Sequence, residues 1–265
     1  MIEAVVIDLD GTLLNSKKTV SKVDEETLKL LKEKKVLRIV ATGRSYFTTA
    51  QVLNHDFPID YLIFSAGAGI MHYPTKEIFY KKFLLNNEVL EIVEHLSELR
   101  IDFQVRLKVP NGHKYYYRRY LKSNPDFDSL NNTYRDYVKP LIDTSVLTEA
   151  TRVIAISPND ENVNLIFNEF KKYSVVRATS PINNKALWME IFPKNINKGS
   201  ALSFLSEKLN FNLDKTVGLG NDYNDIDFLD ITGQSFMVSN APNVLKEKYE
   251  VTVSNNENPL TEILL

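Results

Sequence analysis

Short apolar runs alternate with amphipathic stretches over both ends of this chain. Residues 4–7 are continuously apolar and rich in β-branched side chains, which predicts a strand buried on both faces, as in a parallel sheet. A helix is predicted next, with Ser21 or Asp24 as its cap, and then a second buried strand at residues 36–41. Buried strands that alternate with helices predict a doubly wound, Rossmann-like α/β sheet, whose site lies at the carboxyl ends of the strands.

The same alternation returns near the carboxyl end, after a middle segment with a different pattern. Core strands are predicted at residues 61–64, 216–219 and 235–238. In the middle segment, predicted helices begin at Asn86 and Asn162, and predicted strands occupy residues 101–109, 153–156, 175–178 and 187–192. Prolines and a glycine interrupt residues 110–150, which are expected to be irregular.

The simplest organisation is one discontinuous core with one insertion. A chain of 265 residues exceeds the common size of a single domain. We therefore expect an α/β core formed by residues 1–81 and 187–265, with an α+β domain inserted at residues 82–186.

Composition narrows the classes of function. The formal charge of -2 provides no broad basic field for nucleic acid, and the absence of cysteine excludes disulfides, thiolate metal sites and a cysteine nucleophile. The sequence has no signal-like start and no apolar run that approaches the length of a membrane span. We expect a cytoplasmic protein with no membrane or nucleic-acid partner.

Two carboxylates follow the first predicted strand. Asp8 and Asp10 are two residues apart, so in an extended segment both side chains leave the same face. Two carboxylates this close repel each other unless a cation lies between them. The pair therefore indicates either a cation site at the end of a strand or an ordinary Asp-Gly turn with two solvated acids.

Three other predicted loops carry groups that suit phosphate chemistry. They are Thr42-Gly43-Arg44, Lys198-Gly199 and the acidic loop at residues 220–225. Each alone has an ordinary alternative: a turn, a solvated lysine, or a calcium-like or solvated acidic loop. Gathered at one sheet edge, however, they would supply a hydroxyl, an ammonium and hard oxygen ligands for Mg²⁺ around the two aspartates. A carboxylate that attacks a phosphate dianion needs such offsetting charge.

These four segments resemble the motifs of the haloacid dehalogenase-like superfamily of phosphohydrolases. Asp8-Leu-Asp10-Gly11-Thr12 is similar to its first motif, Thr42 between Ala41 and Gly43-Arg44 to its second, Lys198-Gly199 to its third, and residues 220–225 to its fourth. The large insertion between the second and third motifs is similar to that of the Cof-type subgroup, which carries a C2 (type IIB) cap. Residues 82–186 would be this cap domain.

The resemblance implies a role for each matching residue. Asp8 would be the nucleophile that forms an aspartyl-phosphate, and Asp10 the general acid and base. The catalytic and substrate-binding residues would also include Thr42, Gly43, Arg44, Lys198 and Asn224. Mg²⁺ would be held by Asp8, by the backbone carbonyl of Asp10, and by the fourth motif through Asn221, Asp222 and Asp225.

Two positions depart from the pattern of the family. The fourth motif usually reads Gly-Asp-x-x-Asn-Asp, but Asn221 stands here in place of the first aspartate. The subgroup also tends to carry Asn-Gly after its third core strand, where this chain has Ala66-Gly67. The first departure removes one negative charge from the expected metal site, and the second removes an amide that could face the substrate.

The implied activity is Mg²⁺-dependent hydrolysis of small phosphorylated metabolites, such as a sugar phosphate or a phosphorylated cofactor. A phosphomutase and a catalytically weak, metabolite-binding regulatory module are the alternatives, and Asn221 motivates the second. Cap residues would select the substrate. The candidate contacts are Arg44, Arg106, the run Tyr115-Tyr116-Tyr117-Arg118-Arg119, Lys185 and Trp188. The sequence does not specify the oligomeric state.

Overall fold

The chain divides into two compact units. The computed structural model describes residues 1–157, 163–179 and 187–265, so Lys185 lies outside the described residues. Residues 1–44, 48–81 and 197–265 form the first unit, which we call the core unit. Residues 45–47 and 82–196 form the second, which we call the inserted unit.

The described strands are numbered in chain order. They are β1 (Ala4–Asp8), β2 (Leu37–Ala41), β3 (Tyr61–Phe64), β4 (Gly69–His72), β5 (Glu77–Lys81), β6 (Phe103–Leu107), β7 (Tyr115–Arg118), β8 (Val138–Pro140), β9 (Ala150–Ser157), β10 (Ser174–Thr179), β11 (Leu187–Phe192), β12 (Thr216–Gly220), β13 (Gln234–Val238) and β14 (Glu250–Thr252).

The described α-helices are numbered in the same way. They are α1 (Lys22–Glu33), α2 (Tyr46–Thr49), α3 (Asn86–Glu98), α4 (Pro125–Thr133), α5 (Val163–Glu169), α6 (Lys198–Leu209), α7 (Ile226–Leu229), α8 (Asn243–Lys246) and α9 (Pro259–Leu264). Ser21 caps α1, because its side chain accepts a hydrogen bond from the backbone N–H of Asp24. Of the two predicted caps, the structure therefore uses Ser21.

The core unit contains a sheet in the order β14-β13-β12-β1-β2-β3-β4-β5. The six strands from β14 to β3 run parallel, and β4 and β5 add an antiparallel edge. Every residue of β1 is buried, as its apolar composition predicts. Because β1 lies between β12 and β2, the loops that follow these three strands meet at one edge of the sheet.

The inserted unit contains a second sheet, in the order β10-β11-β9-β6-β7-β8. Its strands pair antiparallel except for β7 with β8. Residues of α3, α5 and one sheet face form a large apolar cluster. The sequence predicts that the chain returns to the core at residue 187. However, β11 forms hydrogen bonds with β9 and β10, so this strand is part of the inserted sheet.

Residues 110–150 differ from the irregular structure expected of them. They contain β7, α4 and β8. Pro125, one of the prolines that interrupt the sequence pattern, is the first residue of α4, and the Asn124 side chain caps this helix by accepting a hydrogen bond from the N–H of Phe127. Proline is favoured at this position because its missing N–H would have no partner in the first turn anyway.

No helix in the described part of the chain combines the length and apolar character needed to cross a membrane.

Candidate active site

Lys198 joins two of the sequence-predicted segments at the edge of the core sheet. It is the first residue of α6. Asn197 caps the amino end of this helix, because its side chain accepts a hydrogen bond from the N–H of Ser200. Its Nζ donates to Asp8 Oδ1 at 2.7 Å and to Asp225 Oδ1 at 2.6 Å. The side chains of Lys198 and Asp225 are 1% and 0% exposed. The structure thus brings together three predicted site residues in one buried cluster.

This cluster contains more negative than positive charge. Burial, and then the nearby Asp225 carboxylate, raise the pKa of Asp8 to about 7, although Lys198 opposes the shift. Burial would lower the pKa of Lys198, but the carboxylates of Asp225 and Asp8 raise it above its ordinary value. One ammonium is therefore shared by two buried carboxylates, and Lys198 stays protonated.

Asp225 also holds the backbone of its own loop. Its Oδ2 accepts hydrogen bonds from the N–H groups of Asn221 at 2.8 Å and Asp222 at 3.0 Å. Gly220 makes this possible, because a Cβ there would lie 2.7 Å from Asp225 Cβ. Asp222 Oδ1 accepts from the N–H of Tyr223. In this structure, Asp225 serves as an anchor for Lys198 and for the loop.

Thr12 connects the first and fourth motifs, although the sequence alone predicts no role for it. Its Oγ1 lies 3.0 Å from Asp8 Oδ2 and 3.1 Å from Asn221 Oδ1, so its single proton can be donated to either. Gly11 precedes it with φ of +80°, and a Cβ at Gly11 would lie 2.5 Å from the Asn221 amide nitrogen. The Asp-Gly-Thr order was the available signal, because Gly11 permits the turn that directs the Thr12 hydroxyl back to Asp8.

Asp10 lies in a different electrostatic environment from Asp8. Its carboxylate accepts hydrogen bonds from Arg44 Nε at 2.5 Å and Nη2 at 2.7 Å, and from Lys18 Nζ at 3.3 Å. Burial opposes ionisation, but the hydrogen bond and charge of Arg44 outweigh it, so the pKa of Asp10 is lowered. Arg44, which was predicted to bind the substrate, contacts the proposed acid and base in this structure.

The second motif surrounds a buried hydroxyl. Thr42 is buried, and its Oγ1 accepts a hydrogen bond from the N–H of Arg44 at 3.1 Å. Gly43 has room beside it, since a Cβ there would lie 3.9 Å from the Asn224 amide nitrogen. Thr42, Gly43 and Asn224 are thus placed beside one another, as phosphate recognition by the second and fourth motifs would require.

The loop after β3 is strained in a way that supports α6. Ser65, Ala66 and Gly67 all have positive φ, of 50°, 52° and 100°. A Cβ at Gly67 would lie 2.1 Å from the carbonyl oxygen of Asn197. The departure from Asn-Gly therefore places an alanine in a left-handed conformation, while the glycine preserves close packing against the cap of α6.

Comparison with known proteins identifies the family. The model of the haloacid dehalogenase-like hydrolase family matches residues 5–264. The chain belongs to the haloacid dehalogenase-like hydrolase family. The predicted family and enzyme class are confirmed, as is the α/β fold with its parallel core sheet and inserted α+β unit.

Similar haloacid dehalogenase-like proteins cover the chain almost completely. A Bacillus subtilis relative, 5-amino-6-(5-phospho-D-ribitylamino)uracil phosphatase YcsE, is 24% identical over 96% of this chain and 91% of its own length. A superfamily phosphatase of Bacteroides thetaiotaomicron superposes with a TM-score of 0.82 at 19% identity, covering 100% of this chain and 94% of that one. A subclass IIB sugar phosphatase has a TM-score of 0.77 at 16% identity, covering 99% and 97%.

The donor atoms of this haloacid dehalogenase-like hydrolase fit a Mg²⁺ ion in type. Among the residues that the structure describes, no three His, Cys, Asp or Glu side chains form a group that could hold a metal ion. Asp8 and the Asn221 amide oxygen flank Thr12, and both are hard oxygen donors. Mg²⁺ is commonly bound by one or two carboxylates with water and substrate phosphate. The excess buried negative charge around Lys198 also suits a divalent cation.

Proposed function

We propose that this protein is a Mg²⁺-dependent phosphatase that hydrolyses small phosphorylated metabolites through an aspartyl-phosphate on Asp8. The observation that carries the proposal is the buried contact of Lys198 Nζ with both Asp8 Oδ1 and Asp225 Oδ1. This contact fixes one oxygen of the Asp8 carboxylate and places a permanent positive charge beside it. A carboxylate so oriented can attack a phosphate dianion that it would otherwise repel.

The proposed reaction has two displacements at phosphorus. In the first, an Asp8 oxygen forms a bond to phosphorus, the bond from phosphorus to the substrate oxygen breaks, and Asp10 gives that oxygen its proton. In the second, Asp10 takes a proton from water, the water oxygen attacks phosphorus, and the Asp8–phosphate bond breaks. The products are the alcohol and inorganic phosphate, and both aspartates return to their initial states.

Arg44 determines how readily Asp10 performs these proton transfers. The guanidinium favours the carboxylate form, which is the form needed to activate water. Protonation of the leaving oxygen requires Asp10 to carry a proton, so the Arg44 contact must weaken during the first displacement. We infer that Arg44 adjusts the balance between the acid and base roles of Asp10.

Asp8, the Asp10 carbonyl and the Asn221 amide are the groups that would hold Mg²⁺. When bound, Mg²⁺ supplies positive charge that offsets the charge of the phosphoryl oxygens. The Thr42 hydroxyl, the Gly43 backbone and Asn224 would bind the transferring phosphoryl group. Asp222 and Asp225 contribute through the loop: Asp225 anchors Lys198 and two backbone N–H groups.

The names of similar proteins support small phosphorylated substrates. The relative from Bacillus subtilis is named for a phosphoribitylamino-uracil, and one similar structure is that of a sugar phosphatase. Both substrates are polyol or sugar phosphates. We therefore propose that the substrate is a phosphomonoester of a small polyhydroxylated compound, and that the protein acts in the cytoplasm.

Phosphate release from a panel of phosphomonoesters, with Mg²⁺ or with EDTA, tests this function. We expect turnover with Mg²⁺ only, and a loss of at least about 10³-fold for Asp8→Asn, which removes the nucleophile. Asp136→Asn is a matched control, because the Asp136 side chain is 82% exposed. Activity that survives both EDTA and Asp8→Asn would refute the mechanism. Tight binding of a panel compound without turnover would favour the regulatory module.

A further inference from the structure

One face of the inserted sheet is apolar at one end and charged at the other. At the apolar end, α4 covers the sheet through a cluster formed by Phe127, Leu130, Ile154, Ile156 and Trp188. Side chains alternate along each strand, so the same face continues to Gln104 and Arg106 of β6 and to Arg152 of β9. The charged end is outside the apolar cluster.

Two arginines lie opposite each other at this charged end. Arg106 and Arg152 are direct partners in the antiparallel pairing of β6 and β9. Partners in such a pair have Cβ atoms about 4.5–5.5 Å apart, and like charges placed this way are destabilising. Arg106 is only 6% exposed and Arg152 only 8%. The arrangement therefore opposes folding, which indicates that it serves another purpose.

Glu190 forms an ion pair with only one of the two arginines. Arg152 Nη1 lies 3.2 Å from Glu190 Oε2, an ion pair that is itself buried. Arg106 has no carboxylate partner in the part of the chain that the structure describes. It donates from Nη2 to the Gln104 amide oxygen at 2.7 Å, and its guanidinium lies 3.9 Å from the centre of the Tyr115 ring. The buried guanidinium of Arg106 thus has no ion-pair partner among the described residues.

The polar atoms left over at this end of the sheet are hydrogen-bond donors. Gln104 Nε2 and Arg106 Nε are buried and have no hydrogen-bond partner within the described residues. Burial of such donors normally costs free energy. Burial, together with the charge of Arg152, lowers the pKa of Arg106 to about 10, so Arg106 is still protonated at neutral pH. A ligand that completes this arrangement must accept hydrogen bonds and carry negative charge.

We propose that Arg106, Gln104 and Arg152 form an anion-binding site on the inserted unit, which takes the carboxylate or phosphate group of a small molecule. The planar guanidinium suits the paired oxygens of either group. The site shares no residue with the Asp8–Lys198–Asp225 cluster. If the anion is part of the substrate, which rests on the proposed phosphatase function, that substrate is a phosphomonoester with a second acidic group.

Thermal unfolding of the whole chain with sodium succinate or inorganic phosphate tests this site. Succinate should raise the Tm of the wild-type and Asp8→Asn proteins. In Arg106→Met, the same rise in Tm should require a succinate concentration at least about tenfold higher. Without an anion, Arg106→Met should unfold at the wild-type temperature or above it, because the variant removes a buried charge that has no ion-pair partner. Gln104→Leu should also raise the succinate concentration that is needed for the same rise in Tm.

Arg118→Met is the matched control, since Arg118 is a half-buried arginine of the same sheet that hydrogen-bonds to the carbonyl of Leu141. It should lower the Tm and leave the succinate response intact. The proposal is overturned if neither anion raises the wild-type Tm. It is also overturned if Arg106→Met lowers the Tm and leaves the response unchanged, because Arg106 would then be a structural residue.

Turnover distinguishes the two sources of the anion. A KM for 3-phosphoglycerate that rises at least about tenfold in Arg106→Met, with an unchanged KM for glycerol 3-phosphate, would assign the site to the second acidic group of a substrate. Loss of succinate binding with both KM values unchanged would assign it to a separate anion. A chain that hydrolyses no phosphomonoester but keeps the Arg106-dependent response would contradict the proposed function and support this site.

Discussion

Arg44 donates two parallel hydrogen bonds to the carboxylate of Asp10, from Nε at 2.5 Å and from Nη2 at 2.7 Å. Lys18 adds a third, longer contact from an exposed position. Bidentate pairing of this kind is stronger and more directional than a single contact. The proton affinity of the proposed general acid and base is therefore set mainly by one neighbouring side chain.

Substitution of Arg44 should shift the pH profile of the enzyme. Arg44 lowers the pKa of Asp10, so Arg44→Met should raise that pKa, because burial is then opposed only by Lys18. Asp10 must be deprotonated to activate water, and the acidic limb of kcat should move up by about one pH unit or more. The measurement is kcat between pH 4 and pH 9.

Two further variants control for the loss of charge. Arg44→Lys keeps the positive charge but cannot form the two parallel hydrogen bonds of a guanidinium. It should therefore shift the acidic limb of kcat less than Arg44→Met does. Lys18→Met removes a cation whose side chain is 52% exposed and should have little effect. An acidic limb that is identical in Arg44→Met and in the wild type would contradict the proposed role.

Asp8→Asn should stabilise the fold at alkaline pH. The pKa of Asp8 rises from 3.8 to about 7 on folding, so between these values the folded state binds more protons and the free energy of unfolding falls as pH increases. The amide removes this penalty. In EDTA, the Tm of the variant should exceed that of the wild type by about 2–8 °C at pH 8. The difference should vanish towards pH 4.

Lys198→Met should have the opposite effect on stability. It leaves the buried carboxylates of Asp8 and Asp225 without their shared cation, which should cost about 3–5 kcal/mol. Denaturant unfolding measures the loss. Addition of Asp225→Asn to Lys198→Met should restore part of the stability and none of the activity. Equal stability of the single and double variants would show that the charge balance described above is unimportant.

Asn221→Asp should strengthen metal binding. The Asn221 amide oxygen lies 3.1 Å from Thr12 Oγ1, and the same hydroxyl contacts Asp8. A carboxylate there adds one negative charge to the expected Mg²⁺ donors, and the Mg²⁺ concentration for half-maximal activity should fall about tenfold. Asp222→Asn should change it less, because Asp222 Oδ1 accepts from the N–H of Tyr223. A higher Mg²⁺ requirement in Asn221→Asp would refute this donor assignment.

Two glycines near the site should respond differently to an added methyl group. In Gly199→Ala the new Cβ would lie 2.2 Å from the carbonyl oxygen of Asp227, so the amino end of α6 must move. This should lower the free energy of unfolding by about 2 kcal/mol or more. In Gly43→Ala the nearest group is Asn224 at 3.9 Å, and the fold should tolerate it. Urea unfolding of both variants provides the comparison.

The sequence predicts the core sheet well because buried strands have a simple sequence pattern. Strand β3 lies at the predicted residues 61–64, and Ser21 is one of the two expected helix caps. A strand covered on both faces must be apolar throughout, so its pattern is visible without an alignment. The short strand β14 and the helix α9 were missed, since β14 is exposed at the sheet edge and carries little apolar signal.

The electrostatics of the site are harder to predict because they depend on side-chain direction. The four motifs indicate which residues meet, but they do not show that Arg44 binds Asp10 or that Thr12 lies between Asp8 and Asn221. Those contacts depend on positive φ at Gly11 and on rotamers chosen by tertiary packing. For the same reason, the opposed arginines of the inserted sheet are not apparent from the sequence.

The position of β1 at the centre of the core sheet has a consequence for the order in which the proposed site forms during synthesis. Asp8 lies 190 residues before the ammonium that it contacts, so a ribosome makes these two groups far apart in time. Strand β12, which pairs with β1, is made later still. A growing chain that has not yet reached Lys198 therefore carries the proposed nucleophile without its cation, and the proposed chemistry at Asp8 must wait until β12 has been made.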